Sequence, residues 1–288
     1  MARGPSNVAA SVRQRLLNLS RATGQPFDLV LTRYVLERLL YRLGRSAHRD
    51  RFVLKGAMLL TTWLGHTDRG TRDLDLLAYG DPGEGRVAGV LREILNTEVK
   101  DDGVVFDPEA FRLEAIREDA HYGGLRMRSF AMLAGARVPV IVDIAFGDAV
   151  APGLEEIEYP VLLDQPKPRL LAYAPETVVA EKLQAMVVLG RANTRMKDFY
   201  DVWSLSRRAA DQARLTEALR ATFERRRTLL PEALPDALSE AFGSDPAKRR
   251  QWSAFAADIG DAPADLAVVV ADIAAFAWPM ITAARTFS

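Results

Sequence analysis

The stretch FVLKGAMLLTTWLGHTDRGTRDLDLLAYGD, residues 52–81, decides the fold of this chain. Its first part, 52–64, predicts a short strand or turn that runs into a helix, because Gly56 follows an apolar run and good helix formers come after it. Its later part, DLDLLA at 73–78, begins with alternating acidic and apolar residues, which is the period of a strand. The stretch therefore predicts a strand-borne pair of carboxylates close to a glycine turn.

The pair of carboxylates needs a physical reason. Residues two apart on a strand point the same way, so Asp73 and Asp75 share one face while Leu74 and Leu76 share the other. Two neighbouring carboxylates repel each other unless water, a cation such as Arg72, or a shared divalent metal stabilises them. A solvated edge strand is the simpler interpretation of an isolated pair of this kind.

A third aspartate favours the metal interpretation. Asp143 lies in VPVIVDIAF, the most apolar predicted strand, where an unpaired buried charge would be costly. A pair of strand aspartates with one more on a neighbouring strand is the set that two-metal phosphoryl transfer needs. Gly56 fits the same chemistry, because a glycine before a helix lets backbone amides approach an anionic phosphate.

A second group of candidates lies in EKLQAM, on a helix predicted to begin at Pro175. Lys182 has Val178 and Met186 four residues to either side, so its stem follows an apolar flank. A functional interpretation is a cation that reaches nucleotide phosphates. The alternative is a lysine that covers core surface with its stem and keeps its ammonium in water. Glu181 is a weaker candidate.

The next predicted helix carries acids and a base on one face. Arg195, Asp198 and Asp201 are three residues apart, which suits either a site or a ladder of ion pairs that contributes a few tenths of a kcal/mol per pair. We expect Tyr200 and Trp203 to belong to the core rather than to a base-stacking platform.

Composition excludes several classes of protein. The 288 residues are 49% hydrophobic, and Lys+Arg and Asp+Glu both number 38, so the overall charge gives no signal for a polyanionic partner. There is no cysteine, and the spacing of His48, His66 and His121 argues against a zinc hydrolase. No signal-like apolar segment or membrane-length apolar span is evident, so we expect a cytoplasmic protein that does not contact a membrane.

The periodicity predicts an α+β protein. Two helices are expected before residue 46, closing at Gly24 and Gly44, and four short strands are expected between Asp101 and Asp148. A proline-rich connector follows Pro160, and the rest is predicted to be helical. These features predict a domain at 1–165 with N-terminal helices and the carboxylates, and a helical domain at 166–288.

Several runs of this sequence carry a family resemblance over roughly residues 36–206. They are YRLGRSAHRDRFVLKGAMLLTTWLGHTDRGTRDLDLL, DDGVVFD, VPVIVDIAFGDAV, PETVVAEKLQAM and RMKDFYDVWSLS. In this order they closely resemble the AbiEii/AbiGii-type nucleotidyltransferase toxins of bacterial abortive-infection and toxin–antitoxin systems. The resemblance implies a DNA-polymerase-beta-like nucleotidyltransferase core, with a mixed or antiparallel sheet, flanking helices, N-terminal helices and a helical C-terminal region.

The resemblance also implies roles for individual residues. The implied catalytic residues are Asp73, Asp75, Asp143, Lys182 and Asp198, of which Asp73, Asp75 and Asp143 would bind Mg²⁺ or Mn²⁺. The implied or candidate nucleotide-binding residues are Lys55, Gly56, Arg72, Arg195 and Lys197. The first motif departs from the family pattern, because Ala57 and Met58 follow Gly56 where a glycine or serine is common. Thr61, Thr62 or backbone amides would then have to bind the triphosphate.

The implied reaction is nucleotidyl transfer from a nucleoside triphosphate to an RNA hydroxyl, with the 3′ end of tRNA as the acceptor and a block of translation as the result. An AbiEi-like transcriptional regulator would be the cognate antitoxin. Basic clusters at 207–208, 225–227 and 248–250, the last beside Trp252, suit tRNA, although each could also be a solvated helix face. The alternatives are a transferase that modifies a protein or small molecule, and a non-catalytic nucleotide-binding protein.

Overall fold

The computed structural model describes residues 7–65, 70–119, 122–208, 211–257 and 259–286. Within them the helices are α1 (Val8–Thr23), α2 (Phe27–Arg45), α3 (Met58–Leu64), α4 (Glu84–Leu95), α5 (Pro175–Leu189), α6 (Met196–Ser206), α7 (Gln212–Arg225), α8 (Glu240–Ser244), α9 (Pro246–Ala256) and α10 (Leu266–Thr286). The strands are β1 (Phe52–Lys55), β2 (Asp73–Ala78), β3 (Val104–Phe106), β4 (Arg112–Asp119), β5 (Tyr122–Leu133), β6 (Ala136–Phe146), β7 (Leu154–Glu158) and β8 (Arg169–Tyr173).

The chain divides into two compact units. The first comprises Met1–Gly147 and Glu155–Ala172, and the second comprises Asp148–Leu154 and Tyr173–Ser288. The sequence-based division into 1–165 and 166–288 stays a prediction about folding domains.

The first unit is built on a mixed sheet. The strand order is β3-β5-β6-β2-β1-β8-β7, and β4 pairs with β5 beside β3. β2 runs antiparallel to β1 and parallel to β6, and β5 and β6 form a long antiparallel ladder. Leu74 and Leu76 are buried, whereas Asp73 and Asp75 are partly exposed, so β2 has the two-faced character that its alternation predicts.

The predicted order of elements is confirmed around the carboxylates, and other details differ. α2 continues past Gly44 to Arg45, and Gly44 lies where a Cβ atom would be 2.7 Å from the carbonyl oxygen of Arg169. This glycine therefore permits close approach of helix and strand rather than ending the helix. The proline-rich connector contains β8, which pairs in parallel with β1. The two flanking elements α4 and β7 have no counterpart in the predicted pattern.

The second unit is helical, as the sequence predicts. Its longest helix, α10, meets the length and composition of a membrane span, contrary to the expectation from the sequence. A single helix of this kind is weak evidence for a membrane, because core helices of soluble proteins pass the same test. Asp272 on α10 accepts a hydrogen bond from the Trp203 indole at 2.9 Å, which is a packing contact between α10 and α6.

Candidate active site

The three predicted metal ligands meet on two adjacent strands. β2 and β6 are paired so that Asp75 lies beside Asp143 and Asp73 lies beside Ile141. One carboxylate oxygen from each of Asp73, Asp75 and Asp143 lies within 4.8 Å of the other two. Parallel register brings these side chains together from positions far apart in the sequence, and the result is a cluster of hard oxygen donors that suits a divalent cation.

Gly56 lies against the carboxylate of Asp75 in this cluster. Its φ is +72°, and a Cβ atom on this residue would be 2.0 Å from Oδ2 of Asp75. Both the left-handed backbone and the contact exclude a side chain. The glycine of the first motif therefore gives room to the carboxylate of the second.

Two neighbours of the acidic pair have distinct contacts. The Thr71 hydroxyl donates to Oδ1 of Asp73 at 2.6 Å, which fixes that carboxylate. Arg72 instead pairs at the surface with Asp28 at 2.7 Å, and hydrogen bonding from Arg72 lowers the pKa of Asp28 despite some desolvation. The predicted contact of Arg72 with nucleotide stays a prediction.

Arg126 is a site residue that the sequence analysis did not identify. It lies on β5 directly opposite Asp143 and donates from Nε to Oδ1 at 2.6 Å and from Nη2 to Oδ2 at 2.5 Å. The hydrogen bonds to Asp143 raise the pKa of Arg126, and the charges of Asp73 and Asp75 also contribute to this shift. An arginine in an alternating strand gives no signal of its own, because only the strand register places it opposite Asp143.

Lys55 is also brought to the cluster. It lies opposite Asp75 in the antiparallel ladder of β1 and β2, and only 6% of the residue is exposed. Residues directly opposite in a ladder project to the same face of a sheet, so the lysine shares the face of the carboxylates. Its position agrees with the predicted role in the first motif.

A small open cavity borders the cluster. It has a volume of about 30 Å³ and is lined by Gln25, Leu29, Arg33, Leu36, Ala57, Met58, Thr61, Gly70, Thr71 and Tyr159. Thr71 contacts Asp73, and Ala57 directly follows Gly56, so the cavity adjoins both motifs. Thr61, one of the residues predicted to replace the usual serine, lines its wall.

Lys182 and Asp198 belong to the second unit and form a cluster there. The Lys182 ammonium lies 2.6 Å from Asp198 and 2.9 Å from Asp201, and both carboxylates are buried. Arg195, the N-cap residue of α6, pairs with Asp198 at 2.6 Å. Burial raises the pKa of Asp198, but the charges of Lys182 and Arg195 outweigh burial and lower it overall. Lys182 therefore does not extend its ammonium into water. The ammonium contacts the buried acids Asp198 and Asp201.

The remaining candidate residues of the second unit lie at the surface, in an ion pair or in the core. Lys197 is exposed, and Glu181 pairs with Arg226 at 3.2 Å. Tyr200 and Trp203 are buried, as predicted for core residues. The roles of Arg195, Lys197 and Lys182 in nucleotide binding stay predictions.

The basic clusters differ in exposure. Arg207, Arg208, Arg225, Arg227, Arg249 and Arg250 are exposed. Arg226 turns inward to Glu181 and Gln184, and Lys248 donates to the carbonyl of Asn193 at 2.7 Å. Trp252 is fully buried and donates to the carbonyl of Pro263, so it offers no stacking surface.

Of the three histidines, His48 lies within the described residues. His48 pairs with Glu93 at 2.7 Å. His66 and His121 lie outside the described residues.

Comparison with known proteins gives a consistent result. A family model described as the nucleotidyl transferase AbiEii toxin of a type IV toxin–antitoxin system matches residues 38–279. Among solved structures, MenT4, a nucleotidyltransferase toxin from Mycobacterium tuberculosis H37Rv, is similar with a TM-score of 0.58 and 19% identity, over 97% of this chain and 90% of that chain. JHP933 from Helicobacter pylori has a TM-score of 0.48 and 14% identity, over 89% and 94% of the two chains. None of the curated proteins compared with the chain matches it. The likeness to MenT4 confirms the predicted fold.

Proposed function

The chain belongs to the AbiEii nucleotidyltransferase toxin family of type IV toxin–antitoxin systems, and from this premise we propose that it transfers a nucleoside monophosphate to the 3′ end of tRNA. Family membership makes it a nucleotidyltransferase with a nucleoside triphosphate as substrate and an antitoxin as partner. The acceptor and the metal are the parts that this proposal adds.

The observation that carries the proposal is the meeting of Asp73, Asp75 and Asp143 on β2 and β6. Three carboxylate donors within one small region fit Mg²⁺ or Mn²⁺, which prefer oxygen ligands. We propose that these aspartates hold the cation. When bound, the cation would supply Lewis-acid stabilisation of the charge that develops on the phosphates.

The chain's own residues account for the rest of the chemistry. A bond forms between the acceptor oxygen and the α-phosphorus, the bond to the bridging oxygen breaks, and pyrophosphate leaves. Asp143, held in one orientation by Arg126, accepts the proton of the attacking hydroxyl as the new bond forms. Lys55 lies on the same face and offsets negative charge of the triphosphate.

The cavity beside Thr71 and Ala57 supports a position for the nucleotide. Its wall combines apolar groups of Leu29 and Met58 with the polar groups of Thr61 and Arg33, which suits one edge of a nucleotide bound at the cluster. Thr61 lies in this wall near the altered first motif, and its hydroxyl already forms a hydrogen bond with Tyr159.

The exposed arginines of the second unit support a polyanionic acceptor. Phosphate contacts by Arg and Lys dominate the affinity of proteins for nucleic acids, and six exposed arginines occur in the three basic clusters. We propose that Arg225 and Arg227 contact the tRNA backbone. Reversing both charges should weaken tRNA binding and reduce its salt dependence, and unchanged binding would remove these residues from the interface.

The test of the function is a labelling experiment. The purified protein is incubated with Mg²⁺, bacterial tRNA and each of the four labelled nucleoside triphosphates, beside an Asp75→Ala variant. We expect label on the tRNA 3′ end with at least one nucleotide, and none with the variant. Absence of label with all four nucleotides would contradict tRNA as acceptor.

The two alternatives give different outcomes when a bacterial extract is added to this reaction. Label on a protein or small molecule with tRNA unmodified would indicate a different acceptor for the same chemistry. Tight binding of a nucleoside triphosphate without any turnover would indicate a non-catalytic nucleotide-binding protein, for which the Ala57–Met58 sequence after Gly56 is the motivating feature.

A further inference from the structure

Arg126 fixes the carboxylate of Asp143 with two hydrogen bonds. Both oxygens of the carboxylate accept hydrogen bonds from one guanidinium, at 2.6 and 2.5 Å, and the two residues are opposite in the β5–β6 ladder. The side chain of Asp143 is 9% exposed and that of Arg126 is 30% exposed. A two-pronged pair fixes the plane of the carboxylate as well as its position.

The rest of the cluster explains why a cation is needed there. Asp73, Asp75 and Asp143 place carboxylate oxygens within 4.8 Å of one another, and like charges at this separation repel strongly where water is partly excluded. The guanidinium lies within the electrostatic influence of all three acids. Its positive charge therefore lowers the repulsion in the cluster before any divalent cation binds.

We propose that Arg126 is a positioning residue with two tasks at this site. It is the resident counter-ion of the three carboxylates, and it orients Asp143 for the acceptor hydroxyl. Each carboxylate oxygen can accept more than one contact, so Asp143 keeps its pair with Arg126 while it also ligates a cation. The inference rests on the proposed function, because it requires the cluster to bind a divalent cation.

The same strand provides a matched control. Arg128 lies two residues from Arg126, on the same face of β5, and pairs with Glu114 at 3.0 Å. Arg128 and Glu114 are about half exposed, and Arg128 lies opposite Ile141 rather than an acid of the cluster. Arg128→Gln therefore removes an equal charge from the same strand without removing the partner of a carboxylate in the cluster.

The experiment measures thermal unfolding of the full chain against Mn²⁺ or Mg²⁺ concentration, without nucleotide. We expect Arg126→Gln to unfold at a lower temperature than wild type in chelator, and to recover most of that difference when the metal is added. Its half-saturating metal concentration should fall by about tenfold or more, because a positive charge beside the ion is gone. Arg128→Gln should have the metal response of wild type.

Arg126→Lys separates charge from orientation. A lysine keeps the positive charge but cannot form the two-pronged pair, so its stability in chelator should be close to that of wild type. Its kcat at saturating metal should still fall, because Asp143 is no longer held in one plane. A normal kcat in Arg126→Lys would remove the orienting task.

The outcomes separate this inference from the proposed function. If wild type shows no metal-dependent stabilisation, the cation site is wrong and the inference fails with it. If wild type responds to metal and Arg126→Gln responds by the same amount, the pair is only structural and the inference alone is overturned.

Discussion

The protein contains two clusters of charged residues that differ in their charge balance. In the second unit, Lys182 and Arg195 face Asp198 and Asp201, with nitrogen to oxygen distances of 2.6–2.9 Å, so two positive charges meet two negative ones. In the first unit, three carboxylates share a face of the sheet with Arg126 and Lys55, which leaves an excess of negative charge. The charges of the second-unit cluster compensate one another, whereas the acidic cluster of the first unit favours a further cation.

Charge balance decides whether a group of ions in this protein favours packing or ligand binding. A buried group of ions whose charges balance can stabilise one packing of helices, although its net contribution is set against desolvation. A partly exposed group with excess charge gains most from a bound ion. We therefore expect the unbalanced cluster to matter most for catalysis and the balanced cluster to matter most for stability.

The largest expected effect is that of Asp75→Asn on activity. Removing a proposed metal ligand should lower the transfer rate by about 10³-fold or more, because charge stabilisation at the phosphates is lost. Stability without metal should stay equal or rise, since one repelling charge is gone from the cluster. Rates are measured with labelled nucleotide, and unfolding by denaturant titration. Glu114→Gln, an exposed acid on β4, serves as the control and should leave both quantities unchanged.

Lys182→Met tests the balanced cluster. It leaves Asp198 and Asp201 buried without the ammonium that both contact, and we expect a loss of about 3 kcal/mol in the free energy of unfolding. Denaturant titration measures this loss. The triple variant with Asp198→Asn and Asp201→Asn should regain much of it. An unchanged stability with a raised KM for the nucleotide would contradict the structural role and favour the predicted contact of Lys182 with phosphates.

Gly56→Ala tests the contact between the first motif and Asp75. Gly24 is the matched control, because its φ of +71° is nearly that of Gly56 at +72° and its Cβ position is open. Both variants should lose about 1 kcal/mol from backbone strain. Only Gly56→Ala should lose about 1 kcal/mol more and reduce activity strongly, since the new methyl displaces Asp75. Equal losses of stability and equal activities would show that the close approach is unimportant.

Glu37 and Asp198 make stability depend on pH in opposite directions. Glu37 is buried like Asp198, but here burial prevails over the charge of Arg33 and raises its pKa to about 7. The folded state therefore retains a proton that the unfolded state loses above pH 4.5, so this group's contribution to stability declines as pH rises from about 4.5 to about 7. Asp198 has the opposite sign, because its lowered pKa makes its contribution decline as pH falls.

The effect expected for Glu37 is confined to stability within one pH range. Glu37→Gln should remove a decline of about 2 kcal/mol between pH 5 and pH 7.5, measured as the difference between variant and wild type in denaturant titrations. Subtracting the wild-type stability from that of the variant at each pH removes the contribution of the other carboxylates, which titrate in both proteins. A variant whose stability keeps a constant offset from wild type across this range would show that Glu37 does not titrate there.

The acidic strand could be predicted because its signal is local. The alternation of Asp73, Leu74, Asp75 and Leu76 predicts both the strand and its two faces. Asp143 stands out because it is a charged residue within an apolar run. The structure places β2 and β6 side by side as the metal hypothesis requires. Local period and residue type were sufficient to mark these three aspartates as candidates, but the pairing of the strands brings them together.

Other features had no local signal. β8 lies beside prolines that indicate a connector, and its place in the sheet depends on pairing with β1 rather than on its own pattern. Gly44 has the position of a helix terminator but is required by the backbone of Arg169. In both cases a tertiary contact overrides the usual meaning of the residue.

The amino-acid sequence alone specified which residues carry charge, that 73–78 is a strand, that the N-terminal and C-terminal regions are helical, and that the chain resembles a nucleotidyltransferase toxin. Only the tertiary structure decided that Asp143 lies beside Asp75 and that Arg126, rather than Arg128, lies opposite it. The physical reason is that strand register is set by long-range pairing and burial across the whole sheet. Two arginines in one strand are equivalent by period, and the register alone gives one of them a carboxylate of the site.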